Sequence, residues 1–202
     1  MALNAYIKML RSMLPNVMKE QLKNEKGDVV LGMKYLIFGS LVVALTTFIS
    51  MSIVILSAPE LPSMEAAVFG ILYSLVFLFA TIPTLLVGSA VIGIALTYKV
   101  ARTLGGKGAF ADHFYHLALL SGGLAVSGGI MLLIPVLNFW LLIAQWMYSF
   151  YLAYLIYRNV HKLGQFMSGM LAAFPIVIIV LGAMFLGMGM ALIGGPGSFG
   201  AY

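Results

Sequence analysis

Residues 66–98 read AAVFGILYSLVFLFATIPTLLVGSAVIGIALTY, an apolar run broken only by Pro83. A helix crosses the apolar core of a bilayer in about 20 residues. This run is longer than that, and it admits two readings. It is one long, tilted and kinked helix, or two half-helices that enter and turn back. The first makes the chain a five-span protein; the second puts its two halves on opposite sides of the membrane.

Charge decides between them. The lysines and arginines are Lys8, Arg11, Lys19, Lys23, Lys26, Lys34, Lys99, Arg102, Lys107, Arg158 and Lys162. If residues 66–98 cross once, all of them fall on one side, and the other side carries Glu60 and Glu65. If the run is re-entrant, Lys99, Arg102 and Lys107 join Glu60. Basic residues collect on the cytoplasmic side of membrane helices. The single-crossing reading satisfies that rule completely and the re-entrant one does not.

The rest of the chain supports a lipid solvent. It is 62% hydrophobic and 8% charged, against about 25% charged for a soluble domain. Its apolar runs are continuous rather than alternating, which selects helices over a membrane β-barrel. The other runs are Tyr35–Ser57, Phe114–Ile134, Phe139–Tyr157 and Gly169–Ile193. The predicted fold is all-α: a polytopic membrane bundle of five transmembrane helices with an N-terminal amphipathic interfacial helix. Residues 1–32 form the interfacial segment, 33–195 the membrane domain and 196–202 a glycine-rich tail. The N-terminus is expected in the cytoplasm and the C-terminus outside. No cleavable leader is visible.

In the N-terminal segment Leu3, Tyr6, Ile7, Leu10, Met13, Leu14, Val17, Met18 and Leu22 recur at helical spacing. Lys8, Arg11, Lys19 and Lys23 lie off that stripe, and Pro15 should kink or split the helix. Such a helix lies in the headgroup layer, or packs on its own bundle. Small residues recur every fourth position: Ser121, Ala125 and Gly129; Ala183, Gly187, Ala191 and Gly195; Ser89 and Gly93. They permit close helix packing within the chain or along a homo-oligomer seam. Residues 135–138, PVLN, make a tight hairpin between the third and fourth spans.

Chemistry is sparse. The chain has no cysteine. The sequence GGKG at 105–108 lacks the spacing of a phosphate-binding loop, and no strand precedes it. Asp112, His113 and His116 share a helix face, and His161 falls on the same side. These histidines are weak metal candidates, because a metal needs a third ligand and supporting hydrogen bonds. The more ordinary reading places them at the interface, bonded to headgroups or water. Phe110 and Tyr115 read as interfacial anchors. Met184, Met188 and Met190 read as core filling rather than copper ligands. The deep polar residues are Gln145, Thr46, Thr47, Thr81 and Thr84, with Gln145 read as an interhelical hydrogen bond. No nucleophile and base pair up, so neither an enzyme nor a cofactor is expected. The net charge of +5 reflects topology and anionic headgroups rather than nucleic acid.

The stretches ARTLGGKGAFADHFYHLALL (101–120) and YLIYRNVHKLGQFMSGMLAAFP (154–175) resemble the Yip1 domain family. The resemblance rests on Leu104, Gly105, Gly106, Gly108 and Phe110, then Val160, His161, Leu163 and Pro175. The third span, with LLSGGLAVSGG at 119–129, departs from the family's Tyr-x-x-x-Pro-like feature, and the acidic segment of eukaryotic members is absent. The resemblance implies a five-span membrane protein of compact prokaryotic type, with trafficking-type partners in eukaryotic relatives. A non-enzymatic membrane scaffold is the expected function, in the plasma membrane of a prokaryote. It would bind anionic headgroups and other membrane proteins through Lys8, Arg11, Lys19, Lys23, Lys99, Arg102, Lys107, Arg158 and Lys162. The alternative is a small permease or channel for an uncharged or metal solute.

Overall fold

The computed structural model describes residues 2–57, 63–134 and 138–175. Among them are the helices α1 (Ala2–Arg11), α2 (Pro15–Asn24), α3 (Val29–Leu56), α4 (Met64–Thr103), α5 (Phe110–Met131) and α6 (Asn138–Val160). A further helix, α7, starts at residue 165 and is described to residue 175. The described residues contain no strand. Helices α3, α4, α5 and α6 are long and apolar enough to cross a membrane, and the chain is an all-helical integral membrane protein. The fifth predicted span lies within the described residues only at its start, where it is helical. Ala183, Gly187, Ala191, Gly195, Met184, Met188, Met190, the residues 135–137 and the tail lie outside them, as does Glu60.

Residues 66–98 form part of one unbroken helix that carries Pro83 in its interior. Proline lacks an N–H, so one carbonyl a turn earlier loses its donor. Next to that carbonyl, which belongs to Phe79, the Thr84 hydroxyl donates to the Ala80 carbonyl at 2.6 Å. Helix starts are capped where a short polar side chain is available. Asp28 accepts from the Val30 and Leu31 amides at the head of α3, and Ser63 accepts from the Ala66 amide at the head of α4. Thus α3 begins six residues before the apolar run that announces it, because Asp28 fixes its start.

The α3–α5 pair is the centre of the bundle. A side chain on Gly32 would meet Phe114 and Ala118; one on Gly39 would meet the Gly122 backbone and Ala125; one on Gly129 would meet Thr46 and Val43. The order of these contacts shows that α3 and α5 run parallel. The seam on α5 therefore follows Ala118, Gly122, Ala125 and Gly129. Two of the three small residues expected there, Ala125 and Gly129, take part. Ser121 does not: it turns to a groove between α4, α5 and α6. Ser89 and Gly93 line the same groove, and among the described residues no neighbouring atom lies within 4 Å of a Cβ placed on Gly93. The Gln145 amide crosses from α6 to donate to the Leu124 carbonyl of α5 at 2.6 Å, as expected from the sequence.

Pro15 splits the N-terminal segment in two and stands at the first position of α2, where its missing N–H costs nothing. The two helices pack on the bundle. Met9 and Met18 are fully buried, and Gly122 and Gly123 leave room for Met9 and Met13. The Tyr148 hydroxyl of α6 donates to the Met13 carbonyl at 2.6 Å. The apolar stripe is consequently divided. Met13, Met18 and Leu22 face the protein, while Ile7, Leu10 and Leu14 stay exposed.

Candidate functional site

The two stretches that carry the family resemblance are in contact. The loop after α4 reverses the chain through Gly105, whose φ of 87° suits glycine. The Gly106 amide then donates back to the Ala101 carbonyl at 2.8 Å, and the Lys107 amide donates to the His161 carbonyl at 3.1 Å. A Cβ on Gly106 would fall 2.9 Å from His161 Nδ1, and one on Gly108 would fall 2.7 Å from the Val160 carbonyl oxygen. The glycines are thus required for three reasons: one positive φ and two close approaches. The facing turn after α6 carries its own strained residue, Lys162 at φ 56°, a conformation uncommon for any side chain but glycine.

Beneath this clamp His113, His116 and His161 are all buried, with exposures of 0%, 1% and 1%. That corrects the expectation that they sit at the interface with headgroups or water. The two loops close over His113 and His161, while His116 is covered on the side of the N-terminal segment, beside Asp112 and Glu25. His161 Nε2 lies 2.8 Å from His113 Nδ1, and His113 Nε2 lies 3.0 Å from the Ile94 carbonyl. The hydrogen positions follow. A carbonyl can only accept, so His113 Nε2 carries the proton and its Nδ1 accepts from His161 Nε2–H. His161 Nδ1 is buried against Gly106 and has no partner among the described residues. The Thr97 hydroxyl, 3.3 Å from His113 Nε2, donates to the Gly93 and Ile94 carbonyls of its own helix. Burial, and then the nearby Arg102 charge, pushes the His161 pKa below its ordinary value.

The rings of Tyr98, His113, His161 and Tyr157 stack around this relay, with centroids 4.9 Å apart for the two histidines. His116 points away from it, toward α1 and α2, beside Asp112, Glu25 and Lys8. Thus two of the three metal candidates meet, but they spend the nitrogens that face each other on a mutual hydrogen bond. Among the described residues no group of three metal-ligating side chains converges. Tyr115, expected as an interfacial anchor, is 2% exposed and donates to Glu25 at 3.0 Å. Phe110 does keep an exposed edge and packs edge-on against Tyr98. Asp112 accepts from the Gly27 amide at 2.5 Å, tying the end of the N-terminal segment to the head of α5.

Cations rim this buried centre. Lys99, Arg102, Lys107, Arg158 and Lys162 are exposed, and Arg102 also donates to the Gly106 carbonyl at 3.1 Å. Arg11, Lys19 and Lys23 are exposed on α1 and α2. Lys8 departs from this pattern: it pairs with Glu25 at 2.7 Å, closing α1 onto the end of α2. Sequence spacing did not reveal that pair or the Asp28 cap. The signal for the histidine pair was only that the histidines share a side of the membrane.

No family model matches the chain, and no curated protein or solved structure is significantly similar to it.

Proposed function

We propose that the protein is a non-enzymatic membrane scaffold of the Yip1 type, holding anionic headgroups and membrane partners on a basic cytoplasmic face. The observation that carries this reading is the rim of Lys99, Arg102, Lys107, Arg158 and Lys162 around a hydrogen-bonded loop pair. A hydrogen-bonded base with exposed cations at its edge suits attraction to an anionic surface, at about 1 kcal/mol per basic residue. The contact between the glycine loop and the Val160–Leu163 turn gives the family's two motifs a shared mechanical role, which supports the resemblance. The hydroxyls of Thr46, Thr84, Ser89 and Ser127 bond to carbonyls of their own helices, so these deep polar groups are satisfied without a solute.

In this reading five spans place the N-terminus in the cytoplasm of a prokaryotic cell and the C-terminus outside. The exposed Ile7, Leu10 and Leu14 face the lipid from the headgroup layer. A homo-oligomer would use a surface other than the α3–α5 seam, which is filled within one chain.

The test has two arms. Single cysteines at positions 60, 107 and 198 of this cysteine-free chain are probed with an impermeant thiol reagent on intact cells. Positions 60 and 198 are expected to react and 107 to stay unlabelled; labelling of 107 from outside sinks the topology. In the second arm, Lys107→Ala with Lys162→Ala should lower retention of phosphatidylglycerol by the purified protein. Unchanged retention removes the basic rim as a lipid-binding face.

A further inference from the structure

His161 is joined to its surroundings through three of its four polar atoms. Its carbonyl accepts from the Lys107 amide at 3.1 Å, its amide donates to the Tyr157 carbonyl at 3.1 Å, and its Nε2–H donates to His113 Nδ1 at 2.8 Å. The fourth atom, Nδ1, has no partner among the described residues. A Cβ on Gly106 would stand 2.9 Å from it, so Nδ1 faces a C–H bond of the glycine loop, which cannot accept a hydrogen bond. Within the histidine pair this nitrogen alone keeps a free lone pair, because His113 uses Nε2 on the Ile94 carbonyl and Nδ1 on His161. A proton taken up by the pair therefore lands under the loop. The surroundings offer that charge no counter-ion. Helix α4 presents Tyr98 and Arg102, α5 presents His113, and α6 presents Tyr157. The same end adds only further cations, the exposed Lys99, Lys107, Arg158 and Lys162. Asp112, next to His113 in the chain, is occupied with the Gly27 amide, and α7 has no titratable residue as far as residue 175.

We propose that His161 works an acid-operated latch: a proton taken from solvent at Nδ1 releases the glycine loop, residues 105–108, from the turn after α6. An imidazolium N–H at that position needs water or an acceptor, and neither fits while Gly106 lies against the ring. Lifting the loop hydrates Nδ1. The same movement breaks the bond from the Lys107 amide to the His161 carbonyl and withdraws Gly108 from Val160. Burial and the Arg102 charge hold the His161 pKa below its ordinary value while the loop is closed, and opening relieves the burial. Opening therefore becomes easier as pH falls. Lys107 rides on one part and Lys162 on the other, so an open latch changes the spacing of the cations at this face. The latch follows from the loop geometry and stands whether or not the cationic rim binds lipid.

The experiment is amide hydrogen exchange of the full-length protein in detergent, at about pH 7.5 and about pH 5.5, with the intrinsic pH dependence of exchange divided out. An imidazole freed by opening titrates near its ordinary value of about 6.5, which favours the open loop about tenfold more at the lower pH. Protection of the Gly106 and Lys107 amides should fall by about that factor, while residues 118–129 keep theirs. His161→Gln retains a donor for His113 and should show the same loop protection at both pH values. Unchanged loop protection in the parent protein, or a response that persists in His161→Gln, overturns the latch. So does an equal loss across residues 118–129, which is unfolding of the bundle and not release of a loop. If His161→Gln fails to fold, the parent protein decides alone. It has three histidines, so their ring nitrogens can be followed by NMR after isotope labelling. The His161 ring should take up its proton over the pH interval in which the loop loses protection. A ring that stays neutral while the loop opens overturns the latch.

Discussion

Helices α4 and α5 are both apolar enough to cross a membrane, yet they live in opposite surroundings. Most of α5 is buried, from His113 through Gly129. Along α4 large side chains such as Phe69, Tyr73, Val76, Leu85 and Ile92 lie exposed. Hydrophobicity cannot sort the two, because lipid is as apolar as leucine and offers no penalty for exposure. Small residues sort them. Gly122, Gly123, Gly128 and Gly129 let other chain segments approach α5 on several sides, whereas among the described residues nothing stands against Gly70, Gly88 or Gly93 on α4. Glycine count alone would have ranked the helices as similar; what the glycines touch separates them.

The hardest way to break this contrast is to give the seam a side chain. A Cβ on Gly39 would stand 2.7 Å from the Gly122 carbonyl oxygen and 2.9 Å from its Cα. These are backbone atoms, so the helices must part. Gly39→Leu should cost about 3 kcal/mol or more, at the upper end of overpacking effects. The expected outcome is loss of a monodisperse species on size-exclusion chromatography in detergent. A well-folded Gly39→Leu protein would mean that α3 and α5 are not locked as described.

Next in size is the loop clamp. Gly108→Val places a branched side chain against Val160, where even a Cβ is 2.7 Å from the carbonyl oxygen and from Cγ1. About 2–3 kcal/mol of destabilisation follows, and the damage should be local to the basic end. Limited proteolysis after Lys107 and Lys162 should accelerate while the membrane-embedded helices stay protected. Equal protection of both lysines in the variant and the parent would remove the clamp.

The sequence disclosed some of this and concealed the rest for identifiable reasons. That residues 66–98 form one continuous helix rather than two half-helices was legible, because charge must be sorted across a bilayer and Lys99, Arg102 and Lys107 had only one consistent place. The break at Pro15 and the Gln145 bond were legible too, since each depends on one residue's chemistry. The histidines were misplaced. The burial of His113 and His161 depends on a loop after α4 folding onto a turn after α6, and that of His116 on the N-terminal segment packing against α5; no local pattern reports either contact. The α5 seam was read one residue off. A period of four fits Ser121, Ala125 and Gly129, but helices that cross at a shallow angle follow a period nearer 3.5, which selects Ala118, Gly122, Ala125 and Gly129.

A smaller effect distinguishes the clamp from the seam by its dependence on pH. His161 is held neutral by burial and by Arg102, below its ordinary pKa of 6.5. Above about pH 7 neither the folded nor the unfolded chain protonates it, and its contribution does not vary. As pH falls below about 6.5 the unfolded chain binds a proton that the folded one refuses, so stability falls. His161→Gln keeps a donor for His113 and removes the titration. Melting in detergent between pH 7.5 and 5 should therefore decline less steeply in the variant. Gly39→Ala should instead lower the melting temperature equally at each pH. A variant with the parent's full pH slope would show that His161 is not the group that titrates.

The smallest expected effect is the most discriminating, because its sign changes between the two helices. Replacing glycine by alanine inside a helix reduces the entropy lost on folding, worth about 0.5–1 kcal/mol where nothing is disturbed. On α4, among the described residues, no neighbouring atom stands within 4 Å of a Cβ at Gly70, Gly88 or Gly93. Alanine there should raise the melting temperature slightly or leave it unchanged. On α3 the same substitution at Gly39 meets the Gly122 backbone and must push two helices apart, which outweighs the entropic gain. The pair Gly70→Ala and Gly39→Ala, measured in one detergent at one pH, should therefore move in opposite directions. Residue type, helix state and substitution are identical in the two experiments, so only the neighbouring backbone can account for the difference. If both variants were destabilised alike, Gly70 would have a neighbour beyond the described residues, and α4 would be covered there.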